Sequence, residues 1–285
     1  MKKQILINKL DEWLKEQFLS ELSENTRNVY KQSINKFINY LNNKEISDID
    51  KDVMIQYKSY LDEVSKSINS KNLWIISLNK YLKWLGYEDL CLRQFKYQKK
   101  YFSINAMTHA DFKRFLRKAK ELNMSQDYYI IKILGMTGIR ISELKYFTVE
   151  NLTKKNKNII KIKNKGKERD VIIPNSLARD LRKYCRDQKI KSGTVFPSPK
   201  IAGKMITEKT INIHLKKIAG AGRVSLKLAH AHAFRDYFAI SFLEKYPENF
   251  MFLADLMGHS SLETTRIYTR LTTEEKQKLI SKIHP

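Results

Sequence analysis

The chain has 285 residues, 42% of them hydrophobic and 29% charged, enough for two domains with a core each and unlike a disordered or fibrous chain. Lys plus Arg number 54 against 30 Asp plus Glu, a net charge of +24. The partner to expect is therefore a polyanion, nucleic acid before an anionic membrane surface.

No apolar run approaches the ~20 residues of a membrane-spanning helix. Cys91 and Cys185 lie far apart with no CxxC pair, which argues against a zinc site or a disulfide framework and fits a reducing compartment. The first residues, MKKQILINKLDEW, pair a basic tip with early acidic residues and no small-residue cleavage site, so a cytoplasmic protein is expected. Residues 1–100 hold 18 Lys/Arg and 13 Asp/Glu, which leaves 36 and 17 for the remainder. The second part carries the stronger positive field.

Residues 5–43 read as two helices. Ile5, Leu10, Trp13, Leu14 and Phe18 recur at helical spacing, and Ser23 to Thr26 offers a cap for a second run through Tyr30, Ile34, Phe37, Ile38 and Leu41. A third helix opens at Ser47 to Asp50 and runs through Val53, Tyr57, Leu61 and Val64. A fourth spans Ser67 to Leu85, with Leu73, Ile76, Leu78, Tyr81 and Leu82 as its apolar positions and Gly86 as its stop. Four helices with short connections make an all-α module over 1–89, with Trp13, Trp74 and Trp84 expected in its core. Residues 90–105 break the helical pattern and read as a basic linker, whose Lys96, Lys99 and Lys100 can track a phosphate backbone.

Thr108 and Asp111 can cap a helix over Phe112–Leu122. Tyr128–Met136 is an apolar helix that ends at Thr137 and Gly138. Arg140 follows that turn and opens a new helix, whose free N–H groups favour a bound phosphate; taken alone, a salt bridge from Arg140 to Glu143 or Glu150 is the simpler reading. Asn158–Pro174 alternates and reads as a β-hairpin with a basic tip at Lys165 and Lys167. Helices at about 176–190 and 207–219 follow, with a short Val195–Pro197 strand between them.

The stretch Ala231–Tyr268 concentrates the chemistry. His232 and Arg235 lie three apart and share a helical face. Gly258 and His259 follow, and Tyr268 stands nine residues after His259. Two phosphate-directed groups followed by an attacking hydroxyl suggest phosphoryl transfer onto tyrosine. The tail 272–285 is polar, with Leu279 and Ile283 as apolar contacts.

Taken in order, Gly138-Ile-Arg140-Ile-Ser-Glu143-Leu144, Lys165-Gly-Lys-Glu-Arg169, His232-Ala-Phe-Arg235, Leu256-Met-Gly-His259 and Tyr268 resemble the tyrosine recombinase (phage integrase) family, above all its compact bacterial dimer-resolution and transposon resolvase-like members. The chain departs from the family pattern at Ala231, often Pro, and at Asp236, often His. Its hairpin is one residue shorter than the common pattern.

The resemblance implies a mainly α protein with a small β-hairpin: an N-terminal four-helix core-DNA-binding domain and an α+β catalytic domain over 106–271. Arg140 and Arg235 would carry the phosphate charge, with Glu143 supporting Arg140. Lys165 would be the general acid, with Lys167 as the alternative. His232 would be general base or orienter, His259 would contact the scissile phosphate, and Tyr268 would be the nucleophile. The product would be a 3′-phosphotyrosyl bond, formed with no metal, ATP or other cofactor.

The implied partner is double-stranded DNA with paired core sites. The two domains would hold it from opposite faces, in a homotetramer that works through a Holliday junction, with or without a second recombinase or accessory proteins. The tail 272–285 would dock on a neighbouring protomer. Expected DNA contacts include Arg27, Lys31 and Lys71. The absence of an arm-binding domain before the helices favours a resolvase of chromosome dimers or cointegrates over a mobile-element integrase. The alternatives are a catalytically inactive sequence-specific DNA-binding protein and a type IB-like topoisomerase.

Overall fold

The computed structural model describes residues 1–96, 106–153, 158–164 and 167–258, with backbone alone at positions 153, 164 and 167. The chain divides into two units, Met1–Lys99 and Lys100–Pro285.

The first unit is built from five helices: α1 (Lys3–Asn8), α2 (Leu10–Leu19), α3 (Glu24–Asn43), α4 (Lys51–Val64) and α5 (Ile68–Trp84). The single helix expected over residues 5–18 is broken at Lys9. Tyr81 Oη donates to the Leu6 carbonyl at 2.8 Å, the acceptor that a continuous helix would offer to Leu10. Three starts follow the capping rule. The side chains of Ser23, Asp50 and Ser67 accept from the backbone N–H of Thr26, Val53 and Ser70. Gly86 closes α5 in the left-handed region at φ +83°.

Trp13 lies at the centre of this unit, 5.5 Å from the Tyr30 ring and 4.8 Å from the Tyr81 ring. Trp74 and Trp84 are half-buried at the margin rather than in the core. The inward phase of α5 also differs from expectation: Ile75, Leu78, Tyr81 and Leu82 are buried, while Leu73 and Ile76 face out. Ile5 and Phe18 are exposed as well. The core takes one stripe of each helix, and a run of apolar residues broader than that stripe leaves its flanks in solvent.

The stretch read as linker from residue 90 begins inside this unit. Leu90 and Leu92 are buried in its core. Asn79 and Asn72 hold the chain as a strand partner would. Asn79 exchanges two hydrogen bonds with Leu92 at 2.9 and 2.8 Å, and Asn72 two with Phe95 at 2.8 and 3.0 Å.

The second unit contains α6 (His109–Glu121), α7 (Ser125–Thr137), a 3-10 helix over Ile141–Tyr146, and α8 (Val149–Thr153). After these come β1 (Ile159–Asn164), β2 (Lys167–Ile172), α9 (Asn175–Asp187), α10 (Glu208–Ala221), α11 (Ala231–Lys245) and α12 (Phe250–Met257). Thr108 and Asp111 form a full capping box at the start of α6. The segment after Arg140 is a six-residue 3-10 helix and not the α-helix expected there.

β1 and β2 pair antiparallel with Ile160 opposite Val171, Ile162 opposite Arg169 and Asn164 opposite Lys167, which leaves a two-residue tip at 165–166. The Val195–Pro197 strand does not form. Val195 and Phe196 are buried, but their neighbours make isolated bridges, Thr148 with Thr194 and Pro197 with Met205. Each pairing is one residue long, too short for a ladder. The described residues are thus mainly helical with one small sheet, as expected. Phe112, Phe115, Ile131, Leu134, Leu215 and Phe234 lie in a core that joins α6, α7, α10 and α11.

Candidate active site

The site is assembled where four elements end or begin. Gly138 closes α7 at φ +62°. A Cβ there would be strained and would fall on the Phe238 ring. This turn sends the chain to Arg140, which precedes the 3-10 helix. Glu143, on the first turn of that helix, is 2% exposed. Its Oε2 accepts the Arg140 backbone N–H at 2.8 Å, and its Oε1 accepts Arg140 Nη1 at 3.3 Å. The side chain of Arg140 itself remains 38% exposed.

Glu143 has a second cationic partner, to which the sequence pattern assigns no role. Arg169 Nη2 donates to Glu143 Oε2 at 2.6 Å, and Arg169 Nη1 donates to the Leu256 carbonyl at 2.8 Å. The signal was present in the hairpin. Residues 167, 169 and 171 share one face, Val171 on that face is buried, and Arg169 stands opposite buried Ile162. A cation on an inward face requires a buried anion.

On α11, His232 and Arg235 were expected on one face. The structure separates them by environment. Arg235 points inward and is 2% exposed. It donates to the Gly138 carbonyl and, through Nη2, to the Met257 carbonyl at 2.6 Å. His232 is exposed, with Nε2 at 3.5 Å from Asp236 Oδ1 one turn on. Asp236, noted above as a departure from the family pattern, thus faces the box histidine. His230 does not compete with His232: it is the N-cap, and its ring accepts the Ala233 N–H at 3.2 Å.

Arg140, Arg169 and Arg235 meet at the carboxyl end of α12. Gly258 there adopts φ +61°, and a Cβ on it would overlap Arg169 Nε and Cδ. Three consecutive carbonyls each receive one guanidinium: Leu256 from Arg169, Met257 from Arg235, and Gly258 from Arg140 at 3.2 Å. The last carbonyls of a helix have no partner within it, and they carry the negative end of the helix dipole. Three planar, permanently charged donors satisfy both demands.

The next residue after this end is His259. His259, Tyr268, Lys165 and the tail with Leu279 and Ile283 lie outside the described residues. Lys167 is placed by its backbone at the start of β2. Among the described residues no group of three or more His, Cys, Asp or Glu side chains is placed to hold a metal ion, and no helix is long and apolar enough to cross a membrane.

The expected DNA contacts divide. Lys31 and Lys96 are exposed. Arg27 is half-buried, with its guanidinium 4.7 Å from the centre of the Phe18 ring. Lys71 is 5% exposed. Its ammonium pairs with Asp62 and lies 4.7 Å from the Phe95 ring centre, so it serves the fold of the first unit rather than a phosphate. Lys99 and Lys100 lie outside the described residues.

The pattern of the phage integrase family matches residues 105–275, and that of the phage integrase N-terminal SAM-like domain matches residues 10–89. The tyrosine recombinase XerD of Vibrio cholerae serotype O1 is 28% identical over 167 residues, covering 56% of this chain and 54% of that protein. The XerA of Pyrococcus horikoshii is 28% identical, covering 62% of this chain and 60% of that protein. The chain spans between about half and two-thirds of the length of these curated relatives. Among solved structures, the Tn1549 transposon integrase in complex with transposon right end DNA superposes with a TM-score of 0.73 at 17% identity, covering all of both chains.

Proposed function

The chain belongs to the phage integrase family, and on that premise we propose that it is a site-specific tyrosine recombinase that cleaves and rejoins double-stranded DNA. The reading is carried by the convergence of Arg235 and of Arg140, itself held by Glu143, on the end of α12, one residue before His259.

In this reading the Tyr268 oxygen attacks the scissile phosphorus and loses its proton to His232 or to water. The bond from phosphorus to the 5′ oxygen breaks, and that oxygen takes a proton from Lys165, or from Lys167 in the other register. Arg140, Arg235 and His259 offset the charge that gathers on the non-bridging oxygens. The 3′-phosphotyrosyl bond keeps the phosphodiester energy, so the reverse attack by another strand's 5′ hydroxyl needs no ATP. Every proton in the cycle has a side chain or water as its carrier, so no metal is called for.

The assembly we propose is a homotetramer on two core sites that passes through a Holliday junction. The tail 272–285 of one protomer docks on the next. An apolar groove of about 240 Å³ lined by Met136, Phe238, Phe242, Phe252 and Leu256 offers a surface for Leu279 and Ile283. Xer recombinases among the relatives support dimer resolution, and the transposon integrase among the structural neighbours supports movement of an element.

The test is cleavage of a nicked suicide substrate in EDTA, wild type beside Tyr268→Phe. A detergent-resistant protein–DNA band that forms without metal and is lost in Tyr268→Phe supports the reading. A footprinted site that gives no covalent band in wild type sinks it in favour of a binding protein with an inactive site. Relaxation of supercoiled DNA with no defined site favours a topoisomerase.

A further inference from the structure

We propose that Arg169 is a positioning residue for strand cleavage, which ties the β1–β2 hairpin to the carboxyl end of α12 and to the carboxylate that orients Arg140. The inference rests on the recombinase reading above. One guanidinium makes all three connections. Its own strand, β2, begins at Lys167 and continues from the tip that carries Lys165. Nη1 holds the Leu256 carbonyl at 2.8 Å, and the side-chain stem lies where a Cβ on Gly258 would be, directly before His259. Nη2 holds Glu143 Oε2 at 2.6 Å, the same oxygen that accepts the Arg140 N–H.

The geometry suits positioning. The side chains of Arg169 and Glu143 are 15% and 3% exposed, so the pair is screened little by solvent. A planar fork can bridge two acceptors that diverge, which a lysine ammonium on a flexible stem does not do rigidly. Antiparallel pairing fixes the two strands against each other, the Tyr146 hydroxyl holds the Lys163 carbonyl on β1, and Arg169 adds the tie from β2 to the end of α12. Arg169 therefore sets where β2 stands relative to Arg140 and to the carboxyl end of α12. A displacement of about 1 Å in a reacting group costs on the order of 10²-fold in rate.

The test uses the full chain, with Arg169→Gln and Arg169→Lys beside wild type and Tyr268→Phe. Single-turnover cleavage is read on an ordinary suicide substrate and on one whose scissile 5′ oxygen is replaced by sulfur. A thiolate leaves without a proton, so the sulfur substrate does not need a correctly placed lysine. We expect Arg169→Gln to lower cleavage of the ordinary substrate about 10²-fold. DNA affinity should stay within about threefold, and the defect should shrink at least about tenfold on the sulfur substrate. Arg169→Lys should recover part of the rate. Hydrogen exchange should rise in the peptide covering Phe250–Gly258 of Arg169→Gln.

Equal loss on both substrates, loss that follows DNA affinity, or unchanged exchange over Phe250–Gly258 would each overturn the inference while leaving the recombinase reading intact. Absence of a Tyr268-dependent covalent product in wild type would overturn that reading, and this inference with it.

Discussion

Glu143 grips Arg140 at both ends, taking its backbone N–H on one carboxylate oxygen and its guanidinium on the other. The arginine that follows the α7 turn is thereby fixed in backbone and side chain by one buried anion. The same anion pairs with Arg169. Replacing Glu143 by Gln keeps the shape and removes the charge, which leaves two cations facing one neutral amide. We expect a loss of about 2–4 kcal/mol in the stability of the second unit and about 10²-fold in cleavage. Chemical denaturation beside single-turnover cleavage measures both, and a variant as stable and as fast as wild type would refute the assignment.

His232 and Arg235, one turn apart on α11, separate stability from chemistry. His232 is exposed, so His232→Asn should change stability by no more than about 0.5 kcal/mol while lowering cleavage about 10²-fold. Arg235 is buried and serves two carbonyls. Arg235→Lys should lower both, with about 1–3 kcal/mol of stability lost for the carbonyl left without a donor. Parallel melting curves decide; an unaltered melting temperature in Arg235→Lys contradicts the buried role.

Two left-handed glycines allow backbone strain to be told from overlap. Gly86 has open space around it, so Gly86→Ala should cost about 1 kcal/mol for conformation alone. At Gly138 the same change also meets the Phe238 ring, which adds about 1–3 kcal/mol of overpacking. It also displaces the carbonyl that Arg235 holds. Equal costs at the two sites would show that the ring yields freely.

Lys71 and Lys31 should behave in opposite ways. Lys71→Met removes the buried partner of Asp62 and should destabilise the first unit with little change in the salt dependence of DNA binding. Lys31→Ala should leave stability unchanged and flatten the plot of log affinity against log salt by roughly one. Binding isotherms at several salt concentrations, set beside melting curves, make the comparison. A salt slope altered by Lys71→Met alone would return Lys71 to the DNA face.

What the sequence made legible was local. The caps at Ser23, Asp50, Ser67 and Thr108 and the turns at Gly86 and Gly138 were readable because each depends on residues within one helical turn. The hairpin and its tip followed from alternation. Direction was harder. Which flank of α5 turns inward, whether Arg235 faces core or solvent, and that Lys71 is buried all depend on partners far along the chain or on other elements. Arg169 has no role legible in the sequence, because its two acceptors, Glu143 and Leu256, lie on elements that periodicity does not place. Residues 90–92 read as linker because two leucines in a basic stretch do not announce a core; Asn79, well upstream, holds Leu92 there, as Asn72 holds Phe95.

Lysine outnumbers arginine 41 to 13 in this chain. Yet three of the thirteen arginines converge on three successive carbonyls of α12, and another, Arg182, bridges the Leu152 carbonyl and Asn158. At these four positions one rigid planar group reaches two acceptors at once. Compositional drift that favours lysine would therefore be tolerated across most of the surface and arrested at these positions.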